Sequence, residues 1–351
     1  MERLKVAIIG CGNVSSVHFA ATAQNLAAEL IAACDTKPER AKAMGEKYGI
    51  PYFTDYNEVL ELGPDVIHIC TPHYNHSEIA IAAAQKGIHV LTEKPMSITL
   101  YEADNMIRAA RENNVKLGVI FQNRYNRASL AVKEAVESGQ LGRIKGARMF
   151  VTWHRPDEYY SQSDWKGTWE GEGGGVLIDQ AIHTMDLMQW IVGEIDSLEA
   201  SMANRTHHII DVEDVAEAVI RFKNGAIGSL YACNYYTYDA DVLLEVHGEL
   251  GTARIEKDHA VIRIAGQPER KVFPEGDYEV IGKDYWGVSH KIQIDEFYRD
   301  VLENRPVDID GVEGRKALEF VRAIYYSATT GEPVQFPFQE PMGFTPPSLT
   351  R

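Results

Sequence analysis

Short apolar runs alternate with longer segments of helical periodicity along the first third of the chain. The runs have the length and the β-branched content of buried strands, and apolar residues recur every three or four positions between them. Strands are predicted at residues 5–9, 29–34, 65–70, 88–92 and 116–121, and helices at 13–28, 38–48, 77–85 and 98–113. Strands and helices that alternate in this way predict a parallel, doubly wound α/β sheet.

The pattern changes after residue 123. Helices are predicted at residues 128–138 and 176–192, and a β run at 144–154. Asn224-Gly225 and the segment 248–251 each lie between two alternating runs, which is typical of hairpins. Helices at 290–304 and 313–330 and a Pro-rich tail at 333–347 close the chain. We therefore predict a doubly wound domain over residues 1–124. An α+β domain with a largely antiparallel sheet follows over residues 125–351.

Composition narrows the possible partners. The chain has 35 Lys and Arg against 51 Asp and Glu, a formal net charge of −16. Such a surface repels phosphate backbones and anionic lipids, so we expect neither a nucleic-acid nor a membrane partner. No apolar run approaches the roughly 20 residues of a membrane-spanning helix, and the N-terminal run is too short for a signal peptide. The four cysteines lack CxxC spacing, which favours reduced thiols in a cytoplasmic protein.

The turn Gly10-Cys11-Gly12 lies between the first strand and the first helix, where a Rossmann domain binds the pyrophosphate of a dinucleotide. Asp35 ends the second strand 23 positions after Gly12, near the spacing of a carboxylate that binds ribose hydroxyls. An ordinary α/β turn with a surface carboxylate is the alternative. Asp35 would repel a 2′-phosphate, so we expect NAD, and the nearby Lys37 leaves NADP open.

Other polar segments follow the remaining strands at the same edge of the sheet, where open α/β sheets bind their ligands. These segments are Thr71-Pro72-His73, Glu93-Lys94-Pro95 and Gln122-Asn123-Arg124. The predicted cofactor-binding residues are Gly10, Gly12, Asn13, Val14, Asp35, Thr71, Pro72, His76, Glu93, Lys94, Asn123 and Arg124.

A second cluster follows the glycines at 173–175. Asp179 and His183 are four residues apart and share one face of the predicted helix. Alcohol oxidation needs a base for the hydroxyl proton, and an imidazole with a pKa near neutrality suits that role. Asp179 or Asp186 could orient the imidazole, and Lys94 could hydrogen-bond a substrate hydroxyl. A solvated lysine and a helix-surface ion pair are the alternatives, but glycines that let a ligand approach the backbone favour a site.

Three motifs together resemble the glucose–fructose oxidoreductase/inositol dehydrogenase (Gfo/Idh/MocA) family. They are Gly10-Cys11-Gly12, Glu93-Lys94-Pro95, and Gly174-Gly175 through Asp179 to His183. The resemblance extends from the first strand to at least the hairpins near residue 250. It implies an NAD- or NADP-dependent reaction at one carbon of a sugar, polyol or related ring. In that reaction Lys94, Asp179 and His183 are catalytic and His183 accepts the proton. It also implies an open C-terminal sheet that makes oligomer contacts, so we expect a homodimer or homotetramer.

Aromatic and cationic side chains crowd the segment 153–169. Flat aromatic faces stack on sugar rings, and cations bind hydroxyls or an anionic group, although some of these rings could fill the core or an interface instead. The predicted substrate-binding residues are Lys94, Trp153, His154, Arg155, Trp165, Lys166, Asp179 and His183. Further candidates are Tyr159, Tyr160, Trp169, Tyr235, Tyr236, Tyr238 and Trp286.

We predict an NAD(P)-dependent dehydrogenase that acts on a secondary alcohol of a sugar, an inositol or a sugar derivative. One alternative is a non-catalytic regulator of the same fold that senses sugars or dinucleotides. The other is a reductase of small carbonyl compounds or dihydrodiols. Lys94, Asp179 and His183 together favour the enzyme, because a protein that only binds has no chemical need for all three. His207-His208 with Asp211 resembles metal-ligand spacing only loosely, so no metal site is predicted.

Overall fold

The computed structural model describes residues 3–274 and 289–350, which form two units. Among these residues the first unit contains 3–122 and 289–315, and the second contains 123–274 and 316–350. The predicted candidate Trp286 lies outside the described residues. Within them, no helix has the length and apolar content needed to cross a membrane.

Six parallel strands form the sheet of the first unit, in the order β3-β2-β1-β4-β5-β6. The strands are β1 (Leu4–Ile9), β2 (Ala28–Cys34), β3 (Tyr52–Phe53), β4 (Val66–Ile69), β5 (His89–Thr92) and β6 (Leu117–Val119). The helices are α1 (Ser15–Gln24), α2 (Pro38–Tyr48), α3 (Tyr56–Glu61), α4 (His76–Gln85) and α5 (Leu100–Glu112). This confirms the predicted Rossmann fold, with the short β3 and α3 added.

The strand order of this sheet also shows where a ligand binds. The chain runs outward in one direction from β1 to β3 and in the other from β4 to β6. The change of direction between β1 and β4 is the topological switch point, and ligands bind outside the carboxyl ends of the strands there. The central strands are buried on both faces, which explains why β1 and β4 are almost entirely apolar.

Nine strands form the sheet of the second unit, in the order β14-β13-β12-β11-β7-β10-β9-β8-β15. The strands are β7 (Ile144–Thr152), β8 (Ile195–Ala203), β9 (Val215–Phe222), β10 (Ile227–Cys233), β11 (Leu243–Gly248), β12 (Gly251–Glu256), β13 (His259–Ile264), β14 (Arg270–Val272) and β15 (Val334–Gln335). The pair β7–β10 is parallel and the other pairs are antiparallel, which confirms the mainly antiparallel sheet.

Between residues 123 and 274, the α-helices of this unit are α6 (Arg127–Glu137), α7 (Asp157–Ser161) and α8 (Ile182–Val192). Both predicted hairpins are present, as β9–β10 and β11–β12. Buried and exposed positions alternate along β9, so one face of the sheet reaches solvent. The oligomer expected through that face stays a prediction.

Two long helices close the chain, α9 (Ser289–Leu302) and α10 (Gly311–Thr330). The sequence analysis assigned every residue after 124 to the second domain, but α9 and the residues up to 315 belong to the first unit. The reason is packing: Ile294, Phe297 and Tyr298 are buried in one cluster with β1 residues such as Leu4 and Val6. The core of the first unit therefore requires a segment that lies far along the chain.

Candidate active site

The two glycines of the first turn have different reasons to be glycine. Gly10 has a φ of +94°, and a Cβ there would lie 2.4 Å from the carbonyl carbon and oxygen of Cys70. A Cβ on Gly12 would meet no atom within 4 Å. Gly10 is therefore required by packing against the end of β4. Gly12 leaves open space above the turn, as the approach of a pyrophosphate requires.

Asp35 holds this turn. Its Oδ2 accepts a hydrogen bond from the Cys11 amide at 2.8 Å, and its Oδ1 accepts one from the Lys37 amide at 2.8 Å. Burial, followed by the negative charge of Asp35, raises the pKa of Cys11 to about 12. The thiol in the turn thus stays protonated and neutral. Asp35 itself is half-buried, so the carboxylate both shapes the turn and reaches its surface.

His76 bridges the segments that follow β4 and β5. Its Nδ1 lies 2.7 Å from the Pro95 carbonyl oxygen, and its Nε2 lies 2.9 Å from the Thr71 carbonyl oxygen. Burial lowers the pKa of His76, which favours the neutral ring. A neutral ring donates to one of the two carbonyls and contacts the other, so His76 links these two segments, and its role in cofactor binding stays a prediction. Thr71 and Pro72 are half-buried.

Glu93 is buried and anchors the turn that carries Lys94. Its Oε1 accepts a hydrogen bond from His18 Nε2 at 2.8 Å and lies 3.6 Å from His290 Nε2. Its Oε2 accepts one from the Lys94 amide at 3.2 Å. Burial alone would raise the pKa of Glu93, but His18 and His290 hold it well below its usual value. Glu93 was predicted to contact the cofactor, and its carboxylate instead faces the protein interior.

Two further groups continue this buried chain of hydrogen bonds. His18 Nδ1 lies 2.9 Å from His68 Nδ1, and His68 Nε2 lies 2.9 Å from the Tyr298 hydroxyl. Burial lowers the pKa of His68 well below its usual value. The rings of His68 and His18 thus connect the Tyr298 hydroxyl to the carboxylate of Glu93. The half-buried Lys94 therefore stands on a turn that a buried network fixes from below.

Arg124 belongs to the second unit, and its charge is paired there with a buried carboxylate. Its Nε and Nη2 donate to both carboxylate oxygens of Asp186 at 2.8 and 2.6 Å, and both side chains are buried. Asp186 was a candidate partner of His183 and Arg124 a candidate cofactor ligand, and both roles stay predictions. Asn123 is half-buried beside this pair, and the Nδ2 of Asn126 lies 3.4 Å from its Oδ1.

The predicted helix 176–192 begins as a π-helix, Leu177–Ala181, and continues as α8. Packing requires two of the preceding glycines, and the approach of a ligand to this segment stays a prediction. A Cβ on Gly174 would lie 1.9 Å from the Tyr325 hydroxyl, and one on Gly175 would lie 2.0 Å from the Glu213 carbonyl oxygen. Short π segments inside helices are frequent at functional sites.

Asp179 and His183 stand out on this segment. From residue 171 to residue 188, every residue is buried except these two, which are half-buried. They are one turn apart, so they reach the surface of the second unit at one place. The shared face that the sequence predicted is therefore present, although a π-helix supports its first half.

A network of donors fixes Asp179. Its Oδ2 accepts hydrogen bonds from Lys166 Nζ at 2.6 Å, from the Tyr159 hydroxyl at 2.7 Å and from Gln180 Nε2 at 2.8 Å. Lys166 Nζ also lies 2.6 Å from the Tyr159 oxygen and 3.3 Å from the buried carboxylate of Glu172. Burial opposes the charge of Lys166, but Asp179 and Glu172 raise its pKa well above its usual value. Lys166 is thus a fixed cation beside Asp179.

The aromatic residues that were candidates for substrate binding differ in burial and in what they contact. Trp165 is half-buried and its ring lies 5.0 Å from Lys166 Nζ, beside the Asp179 network. Trp169 is buried, donates to the Pro347 carbonyl and packs edge-on against Tyr325, which is a core role. Tyr236 and Tyr238 are exposed and pack against each other.

Trp153, His154 and Arg155 hold a second segment of this unit in place. Arg155 Nη1 donates to the two oxygens of Asp239 at 2.9 and 3.1 Å, and its guanidinium lies 4.9 Å from the Trp153 ring. The indole of Trp153 donates to the Ala240 carbonyl at 3.1 Å, and the backbone amide of the exposed His154 donates to Asp239 Oδ1 at 2.8 Å. The charge of Arg155 is therefore paired with Asp239, and its role at the substrate stays a prediction.

The segment of His207, His208 and Asp211, whose spacing resembles that of metal ligands only loosely, contributes His207 to a structural pair with Asp214. His207 is buried, and its Nδ1 lies 3.1 Å from Asp214 Oδ2. Within residues 3–274 and 289–350, no three side chains of His, Cys, Asp or Glu converge in a way that could hold a metal ion.

Comparisons with known proteins give the class. A model of the oxidoreductase family with an NAD-binding Rossmann fold matches residues 4–121, and a model of the GFO/IDH/MocA C-terminal domain matches residues 129–254. The chain belongs to the GFO/IDH/MocA oxidoreductase family. This confirms the resemblance inferred from the glycine turn, the Glu93-Lys94-Pro95 turn and the Asp179–His183 pair, and it confirms NAD as the expected cofactor.

Individual relatives match over nearly the whole chain. The WlbA dehydrogenase of Bordetella pertussis, solved in complex with NADH and UDP-GlcNAcA, is 32% identical with a TM-score of 0.84; the match covers 96% of this chain and 100% of that one. Myo-inositol 2-dehydrogenase of Thermotoga maritima is 28% identical, covering 90% of this chain and 93% of the relative. Levoglucosan dehydrogenase of Pseudarthrobacter phenanthrenivorans is 26% identical, covering 96% and 99%.

Proposed function

We propose that this chain is an NAD-dependent dehydrogenase that interconverts a secondary alcohol and a ketone on a sugar, a polyol or a related ring. Family membership supports oxidoreductase chemistry with a nicotinamide cofactor. The relatives include dehydrogenases named for an inositol and for an anhydrosugar, and one solved with a nucleotide-linked sugar, which supports a polyhydroxylated ring.

The exposure of Asp179 and His183 carries the proposal. Only these two side chains reach the surface along the otherwise buried residues 171–188, and they do so at one place. A surface ion pair would not need Asp179 to be fixed by three donors on one oxygen. Such fixation is expected where a carboxylate must hold one orientation toward a ligand, because catalytic groups have to be positioned before the reaction.

Each group then has a chemical role. The open space at Gly12 and the carboxylate of Asp35 fit the pyrophosphate and a ribose of NAD. When bound, NAD supplies the carbon that accepts a hydride. His183 takes the hydroxyl proton of the substrate, and Asp179 orients that hydroxyl as an acceptor. Lys94, on the turn anchored by Glu93, stabilises the negative charge that develops on the substrate oxygen.

The test is a change in absorbance at 340 nm with NAD or NADP across inositols, aldoses, anhydrosugars, uronic acids and nucleotide sugars. His183→Ala should lower kcat by about 10²–10⁴ and leave the Kd of NADH nearly unchanged. Lys94→Ala should also lower kcat without loss of the fold. His208→Ala is the matched control, since His208 is an exposed histidine of the same unit.

Turnover close to wild type in His183→Ala would refute the role of the base. Loss of NADH binding in the same variant would refute its assignment to the substrate side. Tight NADH binding with no turnover on any ring in the panel would favour the non-catalytic regulator.

A further inference from the structure

The segment that carries Asp179 and His183 begins inside the second unit, where its first amide groups cannot reach water. The first amides of any helix lack acceptors within the helix, and a buried one needs a partner from elsewhere. Glu213 supplies three acceptors. Its Oε2 accepts from the Gly175 amide at 2.8 Å, its Oε1 from the Leu177 amide at 3.0 Å, and its carbonyl oxygen from the Val176 amide at 3.2 Å.

The surroundings of Glu213 are unusual for a carboxylate. The residue is fully buried, with an exposed fraction of 0%. Among the described residues, the titratable group that faces it is Tyr325 on α10, whose hydroxyl donates to Oε1 at 2.9 Å. Arg322 and Glu172 act on Tyr325 electrostatically, and Arg322 is itself paired with Glu340. Dipoles of amides and one hydroxyl thus hold a charge that buried carboxylates more often share with a cation.

We propose that Glu213 is a positioning residue for the reaction: its ionised carboxylate ties down the turn from which Asp179 and His183 project. The inference rests on the proposed function for its consequence in catalysis, but the tie itself can be measured without a substrate. A neutral carboxyl would carry its hydroxyl at one of the two oxygens. Either Gly175 or Leu177 would then lose its acceptor, and the first turn would loosen.

The charge of the Glu213 carboxylate changes within the pH range in which most enzymes work. Burial raises the pKa of Glu213 to about 7, although the hydrogen bonds from Leu177, Tyr325 and Gly175 favour the ionised form. The first turn should therefore be held tightly above pH 7 and less tightly below it. Tyr325 donates one of those hydrogen bonds, so its hydroxyl should set where the change occurs.

Two variants separate these effects. Glu213→Gln keeps the shape and one carbonyl acceptor but cannot carry the charge, so it mimics the protonated residue at every pH. Tyr325→Phe removes the hydroxyl donor and keeps the ring against which Gly174 packs. Loss of that donor should move the transition of Glu213 to higher pH.

The direct readout is amide hydrogen exchange of a peptide that spans residues 173–183, measured from pH 6 to pH 8.5 and corrected for the intrinsic rate. In the wild type we expect protection to rise about tenfold across this range. In Glu213→Gln it should stay low throughout, and in Tyr325→Phe the rise should occur at higher pH. Protection that is independent of pH in the wild type, or unchanged in Glu213→Gln at pH 8.5, would overturn the proposal.

The catalytic readout is the pH profile of kcat. In the wild type the base His183 must lose a proton, and ionisation of Glu213 adds a finite step of about tenfold, so log kcat should rise with a slope above one near pH 7. In Glu213→Gln the slope should fall to one, with a lower plateau and little change in KM. A slope above one that persists in the variant would overturn the proposal. If no substrate is turned over, the proposed function fails, and the exchange measurement still decides the role of Glu213.

Discussion

Replacing Lys166 with methionine removes the cation that Asp179 and Glu172 share while keeping a side chain of similar length. Lys166 Nζ lies 2.6 Å from Asp179 and 3.3 Å from Glu172, whose side chain is 1% exposed. Breaking a buried ion pair from one side leaves an uncompensated charge and costs about 3–5 kcal/mol. We expect a loss of this size at pH 9 and a smaller one, about 1–2 kcal/mol, at pH 6.

The difference between the two pH values follows from Glu172. Burial raises the pKa of Glu172, and the charge of Lys166 opposes that shift, so the variant should raise it further. The unfolded chain ionises this residue near pH 4.3. When a carboxyl has a higher pKa in the folded protein than in the unfolded chain, the free energy of unfolding falls as the pH rises from the pKa of the unfolded chain through the pKa of the folded protein. At pH 6 the variant keeps Glu172 neutral at little cost, whereas at pH 9 protonating it is unfavourable and ionising it leaves a buried charge without its cation.

Urea unfolding at pH 6 and pH 9 measures both losses. Lys166→Met with Glu172→Gln should recover at least half of the loss at pH 9, because one buried charge is gone. Lys223→Met is the matched control, since Lys223 pairs with Glu194 at the surface of the same unit and its removal should not be resolvable. Equal losses at the two pH values, or no recovery in the double variant, would refute this account of the cluster.

Two more predictions concern the cofactor turn. Gly10→Ala should lower the free energy of unfolding by about 2–3 kcal/mol, because the new Cβ meets Cys70 at a positive φ. Gly12→Ala should leave the melting temperature nearly unchanged but weaken NADH binding about tenfold; equal effects of the two variants on the apo-protein would contradict the distinction. Asp35→Ala should weaken NAD binding and raise the NADP-to-NAD ratio of kcat/KM by about 10- to 100-fold. Loss of the hydrogen bond from the Cys11 amide should weaken the binding of both cofactors. An unchanged cofactor ratio would show that Asp35 only shapes the turn.

The parts of the fold that follow from local patterns could be predicted from the sequence. Alternating strands and helices indicated the parallel sheet, Asn224-Gly225 indicated a hairpin, and the spacing of Asp179 and His183 indicated a shared face. These predictions depend on side-chain periodicity and turn chemistry, which act over a few residues. The strands of the first unit are buried on both faces, so their apolar runs were easy to identify.

The parts that depend on distant contacts could not be predicted. Nothing near Arg124 in the sequence indicates that its partner is Asp186, and the glycines at 174 and 175 gave no sign of the Tyr325 and Glu213 atoms they pack against. Glu213 was missed because it lies in the acidic run Asp211-Val212-Glu213-Asp214, which is more typical of an exposed loop than of a buried charge. The π-helix was missed because its hydrophobic pattern differs little from that of an α-helix over a single turn.

The return of α9 to the first unit interleaves the two units along the chain, because residues 316–350 then belong to the second unit again. Residues 3–122 and 289–315 share a core, and residues 123–274 lie between them along the chain. A gene fragment that ended at residue 124 would lack Phe297 and Tyr298, and with them the hydroxyl that completes the buried network behind Glu93. Exchange of the second unit between family members therefore needs three junctions, one after residue 122, one between residues 274 and 289, and one after residue 315. Recombination at a single crossover would break the nucleotide-binding core.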